Sequence, residues 1–291
     1  MPSKLVNRTG EASEPGTLYV VATPIGNLGD ITLRALDTLR SVQLIAAEDT
    51  RHTRKLLSHF DIHRPLISYH SRNIHQRGPE LLDRIRAGED IALVTDAGSP
   101  TISDPGALLV QQAVESDLPV TVIPGPTASI AALSVSGLPT HPFAFLGFPP
   151  SRGSGRSRFF ASYSMLSMTL ILYESPQRLQ RTIEDMLHHW GDRRIAVARE
   201  LTKHFEEVFR GSIAEAKEYF SQGVKGELTL VVEGSSGGEK AGDAGADWRK
   251  ELENLLGETD MTVKEATIEI VKRHHLPRRA VYQEALRLKR D

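Results

Sequence analysis

Cysteine is absent from the 291 residues of the chain. That absence excludes a disulfide scaffold, a thiolate metal site and a cysteine nucleophile. Long apolar runs are missing as well. No stretch approaches the ~18–20 residues of a membrane span, and the polar beginning through Pro15 holds no run of signal-peptide length. No membrane is expected, and the chain reads as a cytoplasmic soluble protein. Nor does one sign of charge prevail: 35 Lys and Arg stand against 37 Asp and Glu, so the molecule as a whole is not a generic polyanion binder.

Familiar site motifs are missing too. There is no G-x-x-x-x-G-K-[ST] loop, and Thr23-Pro24-Ile25-Gly26-Asn27 stands where G-x-G-x-x-G would follow a first strand. The histidines never fall into H-E-x-x-H, and no metal is expected. Gly234-Ser235-Ser236-Gly237-Gly238 spells a serine elbow, but its linker-like surroundings lack the helix that such an elbow requires.

What is present is an alternation of short apolar runs with amphipathic segments, the pattern of βα units around a largely parallel sheet. Strands are expected at 17–22, 43–47, 65–69, 91–95 and 120–123, with helices at 31–39, 53–59, 79–87, 107–115 and 127–136, the last closing a first domain. Asp30 is placed to cap the first helix, and Gly88 to end the third. The proline- and glycine-rich segment 137–155 reads as a boundary. Beyond it, strands at 169–173, 194–198, 205–210 and 227–233, with helices at 176–190 and 213–220, form a second α/β domain whose last three strands have antiparallel or mixed spacing.

The expected domains are thus 16–138 and 139–234. A Gly/Ala/Asp-rich linker spans 235–247, and a helical unit occupies 248–291. The last thirty residues hold eight Lys and Arg against four acids, so the neutral total conceals a basic tail.

Four loops end predicted strands, where open α/β sheets place their ligands. They are Thr23-Pro24-Ile25-Gly26-Asn27-Leu28, Glu48-Asp49-Thr50-Arg51, the stretch from Asp96-Ala97-Gly98-Ser99-Pro100 to Gly106, and Pro124-Gly125-Pro126-Thr127-Ala128-Ser129. One such loop is only a turn; four on one sheet edge make a pocket. Two polar clusters in the second domain, Tyr173-Glu174-Ser175-Pro176-Gln177-Arg178 and Arg199-Glu200-Leu201-Thr202-Lys203, end strands in the same way.

These runs, taken in order from about residue 16 to 234, resemble the ribosomal RNA small subunit methyltransferase I family of the tetrapyrrole-methylase superfamily, with departures at Ser99 and Gln177. The resemblance implies two α/β domains with S-adenosylmethionine in the cleft between them. It also implies a homodimer and 2′-O-methylation of a decoding-region cytidine of 16S rRNA in the small ribosomal subunit. By similarity, Pro24, Asp96, Ala97, Gly98, Thr101, Ile102, Ala128 and Ser129 line the cofactor site from one side. Tyr173, Leu201 and the neighbourhood of Glu233 close it from the other.

For the hydroxyl proton, Glu48, Asp49, Glu174, Glu200 and Lys203 are all candidates. Lysine serves as a base only where its pKa is depressed. Arg51, Arg54, Arg178 and Arg199 are the natural RNA clamps, joined in the tail by Lys272, Arg273, Arg278, Arg279 and Arg287 as phosphate contacts. A small-molecule tetrapyrrole methylase and a non-catalytic RNA-binding protein remain as alternatives. The tail favours RNA over a porphyrinoid, and the intact loops favour an enzyme over a binder.

Overall fold

The computed structural model describes residues 14–236, 244–258, 261–274 and 278–289. Its strands and α-helices run β1 (Leu18–Val21), α1 (Leu33–Ser41), β2 (Leu44–Ala47), α2 (Thr50–His59), β3 (Leu66–Ser68), α3 (Ile74–Arg86), β4 (Ile91–Val94), α4 (Gly106–Glu115), β5 (Val120–Ile123), α5 (Ala128–Ser136), β6 (Phe143–Phe145), α6 (Gly153–Tyr163), β7 (Thr169–Glu174), α7 (Leu179–Trp190), β8 (Arg194–Arg199), β9 (Glu207–Ser212), α8 (Ile213–Tyr219) and β10 (Leu228–Val232). A separate unit beginning at Ser236 adds α9 (Ala244–Glu258), α10 (Val263–His274) and α11 (Arg278–Leu288).

The first sheet is all parallel, in the order β3-β2-β4-β1-β5. Its central strands are apolar without interruption because both faces are covered. Leu44, Ala46, Ile91 and Leu93 face Leu81, Leu82 and Ile85 of α3 and Leu109 of α4. Ile45, Ala47, Ala92 and Val94 face Leu36 and Leu39 of α1 and Leu57 of α2. The chain leaves β1 toward β2 and leaves β4 in the opposite direction toward β5, so the order reverses between the adjacent strands β1 and β4. A crevice opens at their carboxyl ends.

The second sheet has the order β6-β7-β10-β8-β9, with β6 parallel to β7 and the other pairs antiparallel. Leu170, Leu172, Val197 and Leu230 pack on one side with α6, α7 and α8. Ile171, Ala196, Ala198 and Val231 pack on the other with Ala132 and Leu133 of α5. Helix α5 therefore covers the second sheet, although the sequence order assigns it to closing the first.

Other local expectations shift as well. Thr32, not Asp30, caps α1, its hydroxyl accepting from the Ala35 amide at 3.1 Å. Helix α3 starts before Pro79 and keeps the proline inside. Strand β9 begins two residues later than expected, because 200–206 is a tight turn. Gly88 follows α3 at φ +95°, as expected of a glycine at a helix end.

The segment read as a boundary holds an edge strand, β6, and the start of α6, whose Arg156 is buried. Arg156 donates to Asp185 (2.6 Å), to the Pro150 carbonyl (3.0 Å) and to the Thr182 hydroxyl (2.7 Å), which in turn donates to Glu174. Truncating a buried ion-pair partner leaves its counterpart uncompensated. Arg156→Ala is therefore expected to cost about 3–5 kcal/mol. Chemical denaturation followed at Trp190, whose indole N–H donates to the Phe160 carbonyl in the same core, reads this directly. A loss below about 1 kcal/mol refutes it.

In the tail, Val263, Ala266, Ile270 and Val271 meet Val281, Ala285 and Leu288 around Leu252. Thr262 and Glu265 exchange amide-to-side-chain bonds in a capping box. No helix among the described residues is long and apolar enough to cross a membrane.

Candidate functional site

At the carboxyl ends of β1 and β4, roofed by residues of the second sheet, lies a cavity of about 490 Å³. Asp96, Ala97, Gly98 and Ile102 form one wall, Ala128 its end, and Tyr173, Glu174 and Leu201 the roof. Phe148, Thr95, Asp104 and Glu227 also line it, none of them singled out from the sequence. Phe148 was hidden in the supposed boundary. Asp104 lies in the loop after β4 but within no motif that marks a role.

The floor is built by backbone. Thr23 and Gly98 exchange amide–carbonyl bonds at 2.9 and 3.0 Å, tying the loop after β1 to the loop after β4. Gly98 takes φ +84°, and Thr101 and Ser103 follow at +77° and +67°. That left-handed backbone persists only where its surroundings enforce it. Asp104 does so here, one carboxylate oxygen accepting from the amides of Thr101 and Gly106, both at 2.8 Å. Its other oxygen is buried, and the Thr95 hydroxyl acts on the same carboxyl.

Five carboxylates line the cavity: Glu48, Asp96, Asp104, Glu174 and Glu227. Glu48 accepts from the Thr95 hydroxyl at 2.7 Å, and Asp96 from the Asp49 amide at 3.0 Å. Burial pushes the Asp96 carboxyl above its ordinary range, and the charge of Glu48 adds to this. Burial likewise raises Asp104. The cavity is thus a negative, partly desolvated cleft that favours an organic cation.

The remaining predicted residues divide by what they touch. Pro24 lines a smaller neighbouring pocket together with Asp96. Thr101 bonds Asp104 and does not line the cavity, and Ser129 is buried, its amide donating to the Tyr173 hydroxyl at 3.2 Å. Glu233 ion-pairs with Arg194 and lies off the cavity wall.

Asp49 caps α2, and its bonds with the exposed Arg51 hold its carboxyl far below the usual range. Glu174 is fully buried between Arg178, the Ser175 amide and Thr182, so its oxygens are already engaged. Arg199 pairs with Glu207. Lys203 bonds Glu200 and Glu227 at 2.8 and 3.1 Å. Burial alone would lower Lys203, yet these partners raise it, and the same lysine holds Glu200 low. A lysine so paired stays charged and is no proton acceptor.

The Glu200 and Lys203 pair instead fixes a turn that meets the first-sheet loop. A Cβ on Gly26 would come within 2.5 Å of Lys203 Cγ and 2.9 Å of the Leu201 carbonyl. Arg54 is exposed on α2. In the tail, Arg273 bonds Glu251 and Glu269 and Arg287 is exposed. The side chains of Lys272, Arg278 and Arg279 lie outside the described residues. Among the described residues there is no group of three or more His, Asp or Glu able to hold a metal ion.

A family model described as Tetrapyrrole (Corrin/Porphyrin) Methylases matches residues 17–217. Ribosomal RNA small subunit methyltransferase I of Synechocystis sp. is 47% identical over 278 residues, covering 95% of this chain and 99% of that protein. The protein of the same name from Halalkalibacterium halodurans is 43% identical, covering 94% and 95%. Among solved structures, uroporphyrin-III-C-methyltransferase from Thermus thermophilus superposes with a TM-score of 0.53 at 20% identity, over 74% of this chain and 94% of its own. That likeness is one of fold.

Proposed function

Because the chain belongs to the tetrapyrrole methylase family, and within it to the ribosomal RNA small subunit methyltransferase I group, we propose that it methylates the ribose 2′-hydroxyl of a decoding-region cytidine in 16S rRNA, using S-adenosylmethionine. The observation that carries this reading is the carboxylate-bordered cavity at the strand-order reversal.

The residues present fit the cofactor. A volume of about 490 Å³ falls within the range of small-molecule sites. Gly98 leaves room where a Cβ would stand 3.3 Å from Ile25, and the carboxylates along the cavity suit a cationic ligand. Asp96, Ala97, Gly98 and Ile102, with Ala128, Tyr173 and Leu201 opposite, are the residues that would hold it.

When bound, S-adenosylmethionine supplies a methyl group already activated by its sulfonium. What the chain must add is alignment of the hydroxyl and a place for its proton. Asp96 takes that proton in this reading, because it borders both the cavity and the adjoining pocket and its raised pKa makes it a stronger base than an ordinary carboxylate. Glu48, anchored by Thr95, keeps it raised.

Tritiated methyl transfer to small subunits, naked 16S rRNA and uroporphyrinogen tests the assignment. Label in the 2′-O position of one cytidine is expected, and label only in uroporphyrinogen overturns it. We infer that it acts as a homodimer in the cytoplasm, and light scattering tests the dimer.

The tail extends the reading. Its basic residues supply phosphate contacts while the cavity supplies the chemistry. Deleting residues 248–291 is expected to leave cofactor affinity intact, weaken subunit binding and flatten the salt dependence by roughly 0.7–0.9 logarithmic units per lost contact. An unchanged salt slope removes the tail from the interface.

A further inference from the structure

A second, smaller pocket adjoins the large cavity and shares Thr95 and Asp96 with it. Its volume is about 150 Å³. Pro24 and Leu28 from the loop after β1 and Leu56 from α2 give it apolar sides. Thr53, on the same helix, lines it and is 2% exposed, yet its hydroxyl has no hydrogen-bond partner in the protein. Native structures leave few buried polar atoms unsatisfied, so a buried hydroxyl left without a partner on a residue that lines a pocket points to a ligand that meets it once bound. His52 and Lys55, both exposed, stand on the same helix and also line the pocket.

Size and polarity narrow the occupant. A cavity of about 150 Å³ accepts a single six-membered ring, which suits a pyrimidine and is small for a purine. Apolar sides receive a ring face, a buried hydroxyl and a carboxylate receive polar edges, and exposed basic groups receive a phosphate. Chemistry on a nucleotide within a structured RNA calls for the target to leave its stack and enter such a recess.

We propose that this pocket receives the pyrimidine nucleotide to be methylated, its base against Pro24, Leu28 and Leu56, Thr53 bonding its polar edge, and Asp96 at the passage to the methyl-donor cavity. The assignment rests on the chain being an rRNA methyltransferase and names where that reaction's acceptor sits. Lys55 and His52 hold the flanking phosphate. The Thr53 hydroxyl makes no hydrogen bond within the protein, which sets it apart from a threonine that caps or cross-links the fold.

Two measurements test the assignment. In protein carrying labelled Thr and Leu methyls and saturated with S-adenosylhomocysteine, cytidine 5′-monophosphate is expected to shift the Thr53, Leu28 and Leu56 signals. Adenosine 5′-monophosphate is expected to shift them less, and Leu28→Trp, which plugs a half-open wall, to abolish the effect. In methyl transfer to small subunits, Thr53→Val is expected to lower kcat/KM about tenfold, mostly through KM, as befits one lost hydrogen bond. Cofactor affinity and melting temperature should not fall. Leu28→Trp should cost more.

If cytidine monophosphate leaves these methyls unmoved and both variants turn over like the wild type, the pocket is not the acceptor site, while the rRNA activity stands. If the wild type transfers no methyl to rRNA but the nucleotide still shifts the three methyls, the pocket binds a pyrimidine nucleotide and the reading of the reaction, with the acceptor role that rests on it, fails.

Discussion

Asp96→Asn is expected to lose roughly 10²–10⁴-fold in methyl transfer, the range for a positioned proton acceptor, while cofactor affinity changes only a few-fold. The amide keeps the shape and can still accept from the Asp49 amide, which Asp96 now meets at 3.0 Å, so a loss of rate reports proton transfer more than misplacement. The pH profile sharpens the test. Asp96 works as a base only when ionised, so kcat/KM falls as pH drops through its pKa, and the acid limb is shifted upward from that of an ordinary aspartate because burial and Glu48 raise that pKa. Glu48→Gln removes the like charge, lowers the Asp96 pKa and moves the limb to lower pH while sparing most of the rate. Asp96→Asn turning over at near wild-type rate with an unchanged limb assigns the proton elsewhere.

Gly98→Val should weaken S-adenosylmethionine binding by at least ~100-fold, because a β-branched residue is strained at positive φ. Gly98 sits at φ +84°, and an added Cβ would lie 3.3 Å from Ile25 Cγ2 and 3.6 Å from the Pro126 carbonyl. Relief requires the backbone to rotate, which breaks the two Thr23–Gly98 bonds that join the cavity floor. Calorimetry reads the affinity, and circular dichroism confirms that the fold survives. Gly98→Ala, with the same φ penalty but a smaller side chain, should fall between the two. Unaltered affinity in folded Gly98→Val protein removes this loop from the site.

Expectations from the sequence succeeded where a local cause was sufficient. Uninterrupted apolar runs such as Leu44–Ala47 and Ile91–Val94 mark strands covered on both faces, and loops after four of them mark the site edge; both follow from neighbouring residues alone. The tail is helical as expected. Where the chain is locally ambiguous the reading slipped: glycine and proline around β6 and α6 masked Phe148 and the buried Arg156. The cause of that helix's order is Asp185 and Thr182, more than twenty residues away.

Composition and order along the chain alone determined the α/β class, the loops that build the cavity, the basic tail and the family resemblance. Only the tertiary structure decided which charged residues face the cavity. Glu48, Asp49, Glu174, Glu200 and Lys203 are equivalent candidates by type, since each ends a strand. Folding spends Asp49 on a helix cap, Glu174 in a buried network and Glu200 with Lys203 in a mutual pair. It leaves Glu48, Asp96 and the unassigned Asp104 along the cavity, beside Glu174 and Glu227, which are held by Arg178 and Lys203. The physical reason is that a side chain's ionisation depends on burial and on partners within a few ångströms, and those partners come from distant segments. Helix α5 illustrates the same limit in packing: its apolar face is legible in the sequence, but which sheet it covers depends on where the chain next turns.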